Sequence, residues 1–308
     1  MSEDYVAESE SESEGLLEDM AAVGVGPWEV SEALRPRIEE LGLESNVKEM
    51  REQGATVVTD AVPHDLLDEL REVIHQMAKE QTVVGEGAGH ATGVTEIAMM
   101  LGKSSVVDRI MVFPKLLAMW EFSAGQGFRA GTVAGTIKPQ EETKDKFYGV
   151  PLHADHAWLP QPWPEHNCVA TICLPCDGMT EEEGATVFVP GSHLHRRMMS
   201  PAEGEAAKCI PLEVPKGGFA IWGGSTWHAT GVRTAPGERT LLHASCQRLY
   251  TQPVEDYTHL LHDEAYMAAA PEGIAGLLGA DLFFGSKSPE GLVPDPDKVY
   301  KTLIMAQQ

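Results

Sequence analysis

The stretch Pro151-Leu152-His153-Ala154-Asp155 is the starting point for interpreting this chain. If it is extended, alternate side chains point to opposite faces, so His153 and Asp155 share one face. An imidazole and a carboxylate placed in this way can bind one metal ion together. A second imidazole from a later strand would complete a 2-His-1-carboxylate face with open coordination positions, a donor set that suits non-haem Fe(II).

His228 is the predicted second imidazole. It follows an apolar strand and a Gly-rich turn, and the segment that begins at Arg239 alternates in the manner of a strand. A guanidinium that enters a barrel is a costly buried charge unless an anion meets it, and its planar fork suits a carboxylate. The sequence therefore offers a metal-binding face and, close to it, a socket for a dicarboxylate such as 2-oxoglutarate.

The same residues resemble a known family, the phytanoyl-CoA dioxygenases, which are Fe(II)/2-oxoglutarate-dependent oxygenases. The resemblance runs from about Val47 to about Tyr250. One departure is that Ala154 stands where these proteins frequently have Gln. The matching pieces are Pro151-Leu-His-x-Asp155, the stretch from Gly184 to Val189-Pro-Gly-Ser-His193, and Trp227-His228-x-Thr230 with Arg239.

The resemblance implies both a fold and a set of ligands. The fold is mainly β with packed helices: a double-stranded β-helix core of the jelly-roll, cupin-like kind, with N-terminal helices outside one sheet. The many short strands between turn signals also predict an antiparallel double-sheet barrel. Fe(II) is expected on His153, Asp155 and His228, which are then the catalytic residues. 2-Oxoglutarate is expected to chelate the iron and to place its 5-carboxylate on Arg239, with help from the Thr230 hydroxyl.

The implied activity is that of a dioxygenase. It uses O2 to oxidise a C–H bond of a small-molecule substrate, most often by hydroxylation, while 2-oxoglutarate is decarboxylated to succinate. Two other classes stay open: a metal-dependent barrel enzyme that uses the same face without 2-oxoglutarate, and a non-catalytic binding protein on this fold. Succinate formation separates the first class from the dioxygenase, and a lack of Fe(II) affinity would point to the second.

Further residues are predicted to contact ligands. Lys138 ends a strand that in the resembled family runs beside the co-substrate, and a solvent-exposed strand-end lysine is the alternative. Trp158 and Trp163 lie in the loop that leaves the metal strand, where they offer apolar surface to a substrate or else cover the barrel mouth. Tyr148, where the chain returns to the metal strand, is predicted to bind substrate as well.

Several other motifs are interpreted as structural. His156 is expected to be structural or to support a neighbouring ligand rather than to bind the metal, His193 to be a hydrogen-bonded core residue and His195 to be exposed. The pair in Cys173-Leu-Pro-Cys176 has no partner Cys-x-x-Cys, so it is expected to pack rather than to bind zinc or act in redox chemistry. Gly85 to Gly93 is Gly-rich but lacks the Gly-Lys-Ser/Thr ending of a phosphate loop. It therefore predicts a loop, with a lid over the site as a further role.

Composition limits the partners of the chain. Its 308 residues carry a formal net charge of −24, which argues against nucleic acid and anionic membranes as partners. The apolar stretches are too short to span a bilayer, and the first residues do not have the pattern of a signal peptide. Five cysteines without a secretion signal indicate a reducing compartment, so a cytoplasmic location is expected. A homodimer is left open.

The chain is expected to form one domain. Residues 1–26 are predicted to be a disordered acidic tail. Residues 27–308 are predicted to be a single dioxygenase domain, with its barrel core at about 130–250 and a C-terminal extension at 251–308. Apolar spacing predicts helices over Glu29–Leu41, bent or broken at Pro36, and over Pro63–Lys79. Between them lie a short helix closed by Gly54 and a strand over Ala55–Val58.

Overall fold

The computed structural model of the protein describes residues 26–80, 94–140, 147 and 151–280. The predicted acidic tail up to residue 25 and the Gly-rich segment 85–93 lie outside the described residues. None of the described helices is long and apolar enough to cross a membrane. The helices and strands in chain order are α1 (Arg35–Glu40), α2 (Glu44–Gln53), β1 (Ala55–Val58), α3 (His64–Glu80), β2 (Thr95–Ile97), α4 (Ser105–Met111), α5 (Pro114–Ala124), β3 (Arg129–Pro139), β4 (Val169–Pro175), β5 (Thr186–Phe188), α6 (Pro201–Ala206), β6 (Ile210–Pro211), β7 (Phe219–Gly223), β8 (His228–Thr230), β9 (Glu238–Gln247), α7 (Glu264–Ala269) and α8 (Ile274–Leu277).

The first helices follow from local sequence signals. α1 begins at Arg35 rather than at Glu29, because Pro36 fits the first turn of a helix, where a missing N–H breaks no hydrogen bond. The predicted bend or break at Pro36 is therefore wrong, since the proline lies at the start of the helix. α2 ends at Gly54, which takes a φ of 90°, as predicted. The buried stripe of α3 has helical spacing and consists of Leu66, Leu67, Leu70 and Ile74.

Two antiparallel sheets form the barrel. The larger has six strands in the order β1-β7-β4-β9-β3-β2, and the smaller has three in the order β6-β5-β8. Alternate residues of β9 face opposite ways. Leu242, Ala244 and Cys246 pack in one cluster with the helices, whereas Leu241 packs with Phe188 of the smaller sheet. This arrangement confirms the predicted double-stranded β-helix with helices outside one sheet.

The chain that follows β9 is attached to the outside of the larger sheet. Glu255 accepts hydrogen bonds from the backbone N–H of Met99 at 3.1 Å and of Val133 at 2.8 Å. Its own N–H donates to the carbonyl of Gly131 at 2.8 Å. Since the register between β3 and β9 shifts just before Val133, Glu255 secures the strand at an irregularity.

Three histidines outside the predicted metal face have the surroundings expected of them. His156 is fully buried. His193 is 2% exposed, its Nε2 lies 3.1 Å from the carbonyl oxygen of Arg51, and its ring meets Trp28 edge-on with centroids 4.9 Å apart. His195 is exposed. His193 is thus a hydrogen-bonded core residue and His195 an exposed one, as predicted, while the structural or supporting role of His156 stays a prediction that its burial favours.

Replacing His193 with Ala should lower the free energy of unfolding by about 2–3 kcal/mol at about pH 8, because it removes a buried ring and its hydrogen bond. Burial lowers the pKa of His193, so the unfolded chain binds a proton first as the pH falls. The wild-type protein should therefore lose stability below about pH 6.5, the ordinary histidine value. The difference in free energy of unfolding between wild type and His193→Ala should therefore become smaller as the pH falls.

Denaturant unfolding at about pH 8 and about pH 5.5 measures both effects. The exposed His195 provides the control, since His195→Ala should change neither the stability nor its pH dependence by much. A difference between wild type and His193→Ala that grows on acidification would contradict the assignment of His193 as a neutral core residue.

Candidate metal centre

Three side chains predicted from the sequence converge in the structure. His153, Asp155 and His228 each place one potential ligand atom within 4.8 Å of the others, and they form the one such group among the described His, Cys, Asp and Glu residues. The Nε2 atoms of His228 and His153 lie 3.5 Å and 3.9 Å from Oδ1 of Asp155. The structure thus brings together two nitrogens and one oxygen. That they bind a metal stays a prediction.

The backbone holds His153 directly beside His228. The N–H of each donates to the carbonyl of the other, at 2.9 Å and 2.8 Å, so the two residues form an isolated antiparallel bridge. Ala154 is extended, with φ −135° and ψ 143°, and a short 3-10 turn begins only at Asp155 and runs to Trp158. His153 and Asp155 therefore share one face, as strand alternation predicted, while Leu152 and Ala154 pack in an apolar cluster on the other.

Both imidazoles are oriented by backbone carbonyls. Nδ1 of His153 lies 2.9 Å from the carbonyl oxygen of Pro151, and Nδ1 of His228 lies 2.9 Å from that of Thr226. Because a carbonyl oxygen only accepts hydrogen bonds, each Nδ1 carries the proton and each Nε2 keeps its lone pair. Both lone pairs are then available on the side of Asp155, which is the tautomer that a metal-binding histidine needs.

At this centre an ionised carboxylate, that of Asp155, lies beside a neutral imidazole, that of His228. Burial on its own would raise the pKa of Asp155, but the rings of His228 and His153 and the Thr171 hydroxyl hold that pKa below its usual value. Burial lowers the pKa of His228, against the attraction of Asp155. At neutral pH the site therefore offers an anionic oxygen and an uncharged nitrogen to a cation.

Three residues near this centre were not singled out from the sequence. Thr171 of β4 and Trp222 of β7 donate hydrogen bonds to Oδ2 of Asp155, at 2.7 Å and 3.2 Å. The ring of His243 lies 6.3 Å from that of Trp222, on the face of β9 that also carries Arg239. The alternation along each strand predicts which residues share a face, but it does not show which strands meet.

Two buried cations lie side by side on neighbouring strands. Lys138 of β3 is directly opposite Arg239 of β9, and the two residues are 2% and 8% exposed. The Lys138 ammonium donates to the carbonyl of Gly231, and the Arg239 guanidinium donates to that of Gly184. Burial lowers the pKa of Arg239 to about 10. The alternative of a solvent-exposed strand-end lysine is therefore wrong for Lys138.

The remaining predicted ligand contacts lie in different surroundings. Thr230 ends β8, two residues after His228, and is partly exposed. Trp158 is 54% exposed, whereas Trp163 is fully buried in a cluster beside the metal centre. Tyr148 lies outside the described residues. Contacts of these four side chains with co-substrate or substrate stay predictions, and Trp158 has the accessible surface for such a contact.

Comparison with known families agrees with this geometry. Residues 50–241 match the sequence model of the phytanoyl-CoA dioxygenase family, PhyH. The chain belongs to this family. The matched region contains the three converging residues and Arg239, so the resemblance predicted from the sequence motifs is confirmed.

Individual relatives match over part of their length. The chain is 28% identical over 124 residues to "Dioxygenase af480" of Aspergillus fumigatus, which is 39% of this chain and 40% of that protein. It thus spans less than two thirds of that relative. The epimerase SnoN in complex with Fe3+, α-ketoglutarate and nogalamycin RO has a TM-score of 0.56 and 19% identity, covering 83% of this chain and 93% of SnoN. HygX from Streptomyces hygroscopicus with nickel and 2-oxoglutarate has a TM-score of 0.55 and 12% identity, covering 68% and 88%. At these identities the structural likeness shows the fold alone.

Alanine at any of the three converging residues should abolish metal binding while the fold persists, since each removes one ligand atom. The Mn(II) dissociation constant measured by calorimetry should rise by more than about 100-fold, the upper range for changes to residues that only support metal ligands. Circular dichroism should show a folded protein in each case. His193→Ala is the matched control, because it removes a buried histidine away from the centre. Equal losses in His193→Ala and His228→Ala would show that His228 is the wrong second histidine.

Proposed function

We propose that this member of the phytanoyl-CoA dioxygenase family is an Fe(II)- and 2-oxoglutarate-dependent dioxygenase that oxidises a C–H bond of a small molecule, most often by hydroxylation. The observation that carries the proposal is the presence, in one barrel, of a His-Asp-His donor set and a pair of buried cations. Iron needs the first feature, and a dicarboxylate co-substrate needs the second. Family membership supports the same assignment.

The donor set fits Fe(II). Two imidazole nitrogens with free lone pairs and one ionised carboxylate oxygen are the ligands of the facial triad that leaves coordination positions open. His153, Asp155 and His228 would hold the ion. When bound, iron supplies the oxidising chemistry with O2 as 2-oxoglutarate is converted to succinate and carbon dioxide. The residues of the chain hold the reactants in position and exclude competing reactions.

The buried cations fit the far carboxylate of 2-oxoglutarate. Two like charges on neighbouring strands repel each other, and removing both from water is costly. Besides the carbonyl of Gly184, Arg239 contacts the sulfur of Met179 at 3.0 Å, and its Nε has no hydrogen-bond partner among the described residues. A carboxylate would offset the charge and accept two parallel hydrogen bonds from the guanidinium. Lys138 would add a second positive charge, and the Thr230 hydroxyl a further donor.

A second buried arginine in this region shows how the chain provides hydrogen-bond acceptors for a guanidinium that binds no ligand. Arg233 is 5% exposed, and its side chain donates to the backbone carbonyls of Glu183, Pro236 and Gly237. All three of its nitrogens therefore have acceptors within the protein. Arg239 differs because its Nε finds no partner in the part of the chain that the structure describes. The contrast supports a ligand-binding role for Arg239 and a structural role for Arg233.

The metal centre is partly exposed to solvent. The side chains of His153 and Asp155 are 31% and 22% exposed, whereas that of His228 is 6% exposed. The turn that begins at Asp155 ends at the exposed Trp158, so a small-molecule substrate would meet this tryptophan as it approaches. The net charge of −24 favours a substrate that is not a polyanion. A cytoplasmic location, a homodimer and the lack of a nucleic-acid partner stay predictions.

The test of the proposed function is anaerobic reconstitution with Fe(II), followed by addition of O2 and 2-oxoglutarate. Succinate should form slowly even without the substrate, and omission of Fe(II), 2-oxoglutarate or O2 should each stop it. Asp155→Ala should form none. Iron binding without succinate formation, in the presence of candidate substrates, would favour the metal-dependent enzyme that does not use 2-oxoglutarate. No affinity for iron would favour a non-catalytic binding protein.

Replacing Arg239 with Ala should weaken 2-oxoglutarate binding at least about 100-fold. Losing one partner of a buried charged pair costs about 3–5 kcal/mol, or about two to three decades in affinity. The measurement is the dissociation constant of 2-oxoglutarate for the Mn(II)-loaded protein, with Mn(II) affinity nearly unchanged. Arg239→Lys should recover part of the loss, because it keeps the charge but not the fork.

Arg233→Lys is the control for this experiment, because Arg233 is buried in the same region but bonded to carbonyls. It should leave the affinity for 2-oxoglutarate within about threefold, which is under 1 kcal/mol. An affinity for 2-oxoglutarate unaltered in Arg239→Ala would remove Arg239 from the co-substrate site.

A further inference from the structure

The two oxygens of Asp155 have different surroundings. Oδ1 faces the Nε2 atoms of His153 and His228, at 3.9 Å and 3.5 Å. Oδ2 accepts two hydrogen bonds, one from the Thr171 hydroxyl at 2.7 Å and one from the Trp222 indole N–H at 3.2 Å. One oxygen is therefore directed toward the metal position, and the other is bound by the protein.

The two donors to Oδ2 are fixed by the larger sheet. Thr171 and Trp222 are direct partners across β4 and β7, and each is 2% exposed. The Trp222 ring also lies 4.8 Å from the ring of His228, so neighbours on both sides restrict its rotamer. The extended Ala154 directs the Asp155 side chain to the face of His153, but it does not fix the rotation of the carboxylate. Thr171 and Trp222 therefore decide which oxygen faces the two rings.

We propose that Thr171 and Trp222 are positioning residues that hold Asp155 as a one-oxygen ligand of the metal. This inference rests on the proposed function. A six-coordinate ion that receives two imidazoles and one carboxylate oxygen has three positions left. 2-Oxoglutarate would take two of them through its chelating atoms. The third, which O2 needs, would be lost if Asp155 bound through both oxygens.

The hydrogen bonds to Oδ2 oppose that change. Turning Oδ2 toward the metal would break both bonds and leave a buried hydroxyl and a buried indole N–H without an acceptor. A carboxylate oxygen that accepts two hydrogen bonds is also a poorer donor to a cation, because its lone pairs and charge are already engaged. The same two residues thus keep the coordination position open and select Oδ1 as the ligand atom.

The test counts the water molecules bound to Mn(II) in the purified protein by water proton relaxation, before and after addition of 2-oxoglutarate. Wild type should show about three waters, falling to about one with 2-oxoglutarate. Thr171→Val removes the hydroxyl at nearly constant volume, and Trp222→Phe removes the indole N–H. Each should show about one water fewer in both states, with Mn(II) affinity lowered by no more than about 10–100-fold. Thr171→Ser keeps a hydroxyl and should restore the wild-type count.

Two matched control variants lose a buried hydroxyl or a buried indole N–H that does not contact Asp155. Thr186 is buried on β5, and its hydroxyl lies 3.8 Å from the Cys173 sulfur, so Thr186→Val removes a hydroxyl that does not touch Asp155. Trp120 of α5 is fully buried in the cluster on the helix side, and its N–H has no partner among the described residues, so Trp120→Phe removes an indole N–H from no acceptor. Both variants should keep the wild-type water count.

The outcomes separate this inference from the proposed function. Equal water counts in wild type, Thr171→Val and Trp222→Phe would overturn the positioning role, while binding of Mn(II) and 2-oxoglutarate by wild type would leave the proposed function in place. A reduced count in Thr186→Val or Trp120→Phe would also overturn it, by showing that any interior change has this effect. Failure of the wild type to bind Mn(II) would overturn the proposed function instead. Either of the two test variants decides the question if the other does not fold.

Discussion

Two backbone hydrogen bonds between His153 and His228 fix the geometry on which the rest of the site depends. They attach an otherwise irregular segment to β8 of the smaller sheet, so that the two rings lie next to each other with centroids 4.3 Å apart. Each ring then finds a carbonyl two residues earlier in its own segment, at Pro151 and Thr226, which sets its tautomer. Without this bridge, the segment that carries Asp155 would have no fixed register with His228. The metal centre therefore depends on strand pairing more than on side-chain contacts.

The two sheets make separate contributions that meet at Asp155. The smaller sheet holds the imidazoles through the bridge to β8, and the larger sheet holds the carboxylate through Thr171 and Trp222. The larger sheet also carries the buried cations, on β3 and β9. A relative shift of the sheets would separate the donor atoms from one another before it disturbed either sheet. Close packing of Phe188 against Leu241 between the sheets resists such a shift, so the apolar core contributes to the geometry of the site as well as to stability.

The sequence predicted the converging residues because few chemistries explain a histidine and a carboxylate two residues apart, together with a later histidine and an arginine on a strand. It predicted the fold class from the many short strands between turn signals and from the family resemblance. It did not predict which groups hold the carboxylate of Asp155. The extended segment ends at Asp155, and there the backbone N–H of His156 donates to the carbonyl of Gly224 at 2.8 Å, a long-range contact with no signal in the local sequence. Thr171 and Trp222 lie 16 and 67 residues from Asp155 in the chain, and the register of β4 with β7 places them together. Lys138 was equally ambiguous, since its burial follows from its pairing with Arg239 and not from its neighbours in sequence.

The buried cations favour a ligand over a structural explanation for a reason that does not involve the metal. Apolar residues of similar size often stabilise a protein as well as buried charges do, or better. Two buried positive charges inside a barrel therefore call for an explanation other than stability. Arg233 shows that this chain can surround a guanidinium with backbone carbonyls where it serves the fold. At Arg239 the same solution is incomplete, because no described residue bonds to its Nε and Lys138 adds a second positive charge from the neighbouring strand. An anion between the two would remove both costs at once. The dicarboxylate half of the proposed function is thus supported by residues other than those that support the iron half.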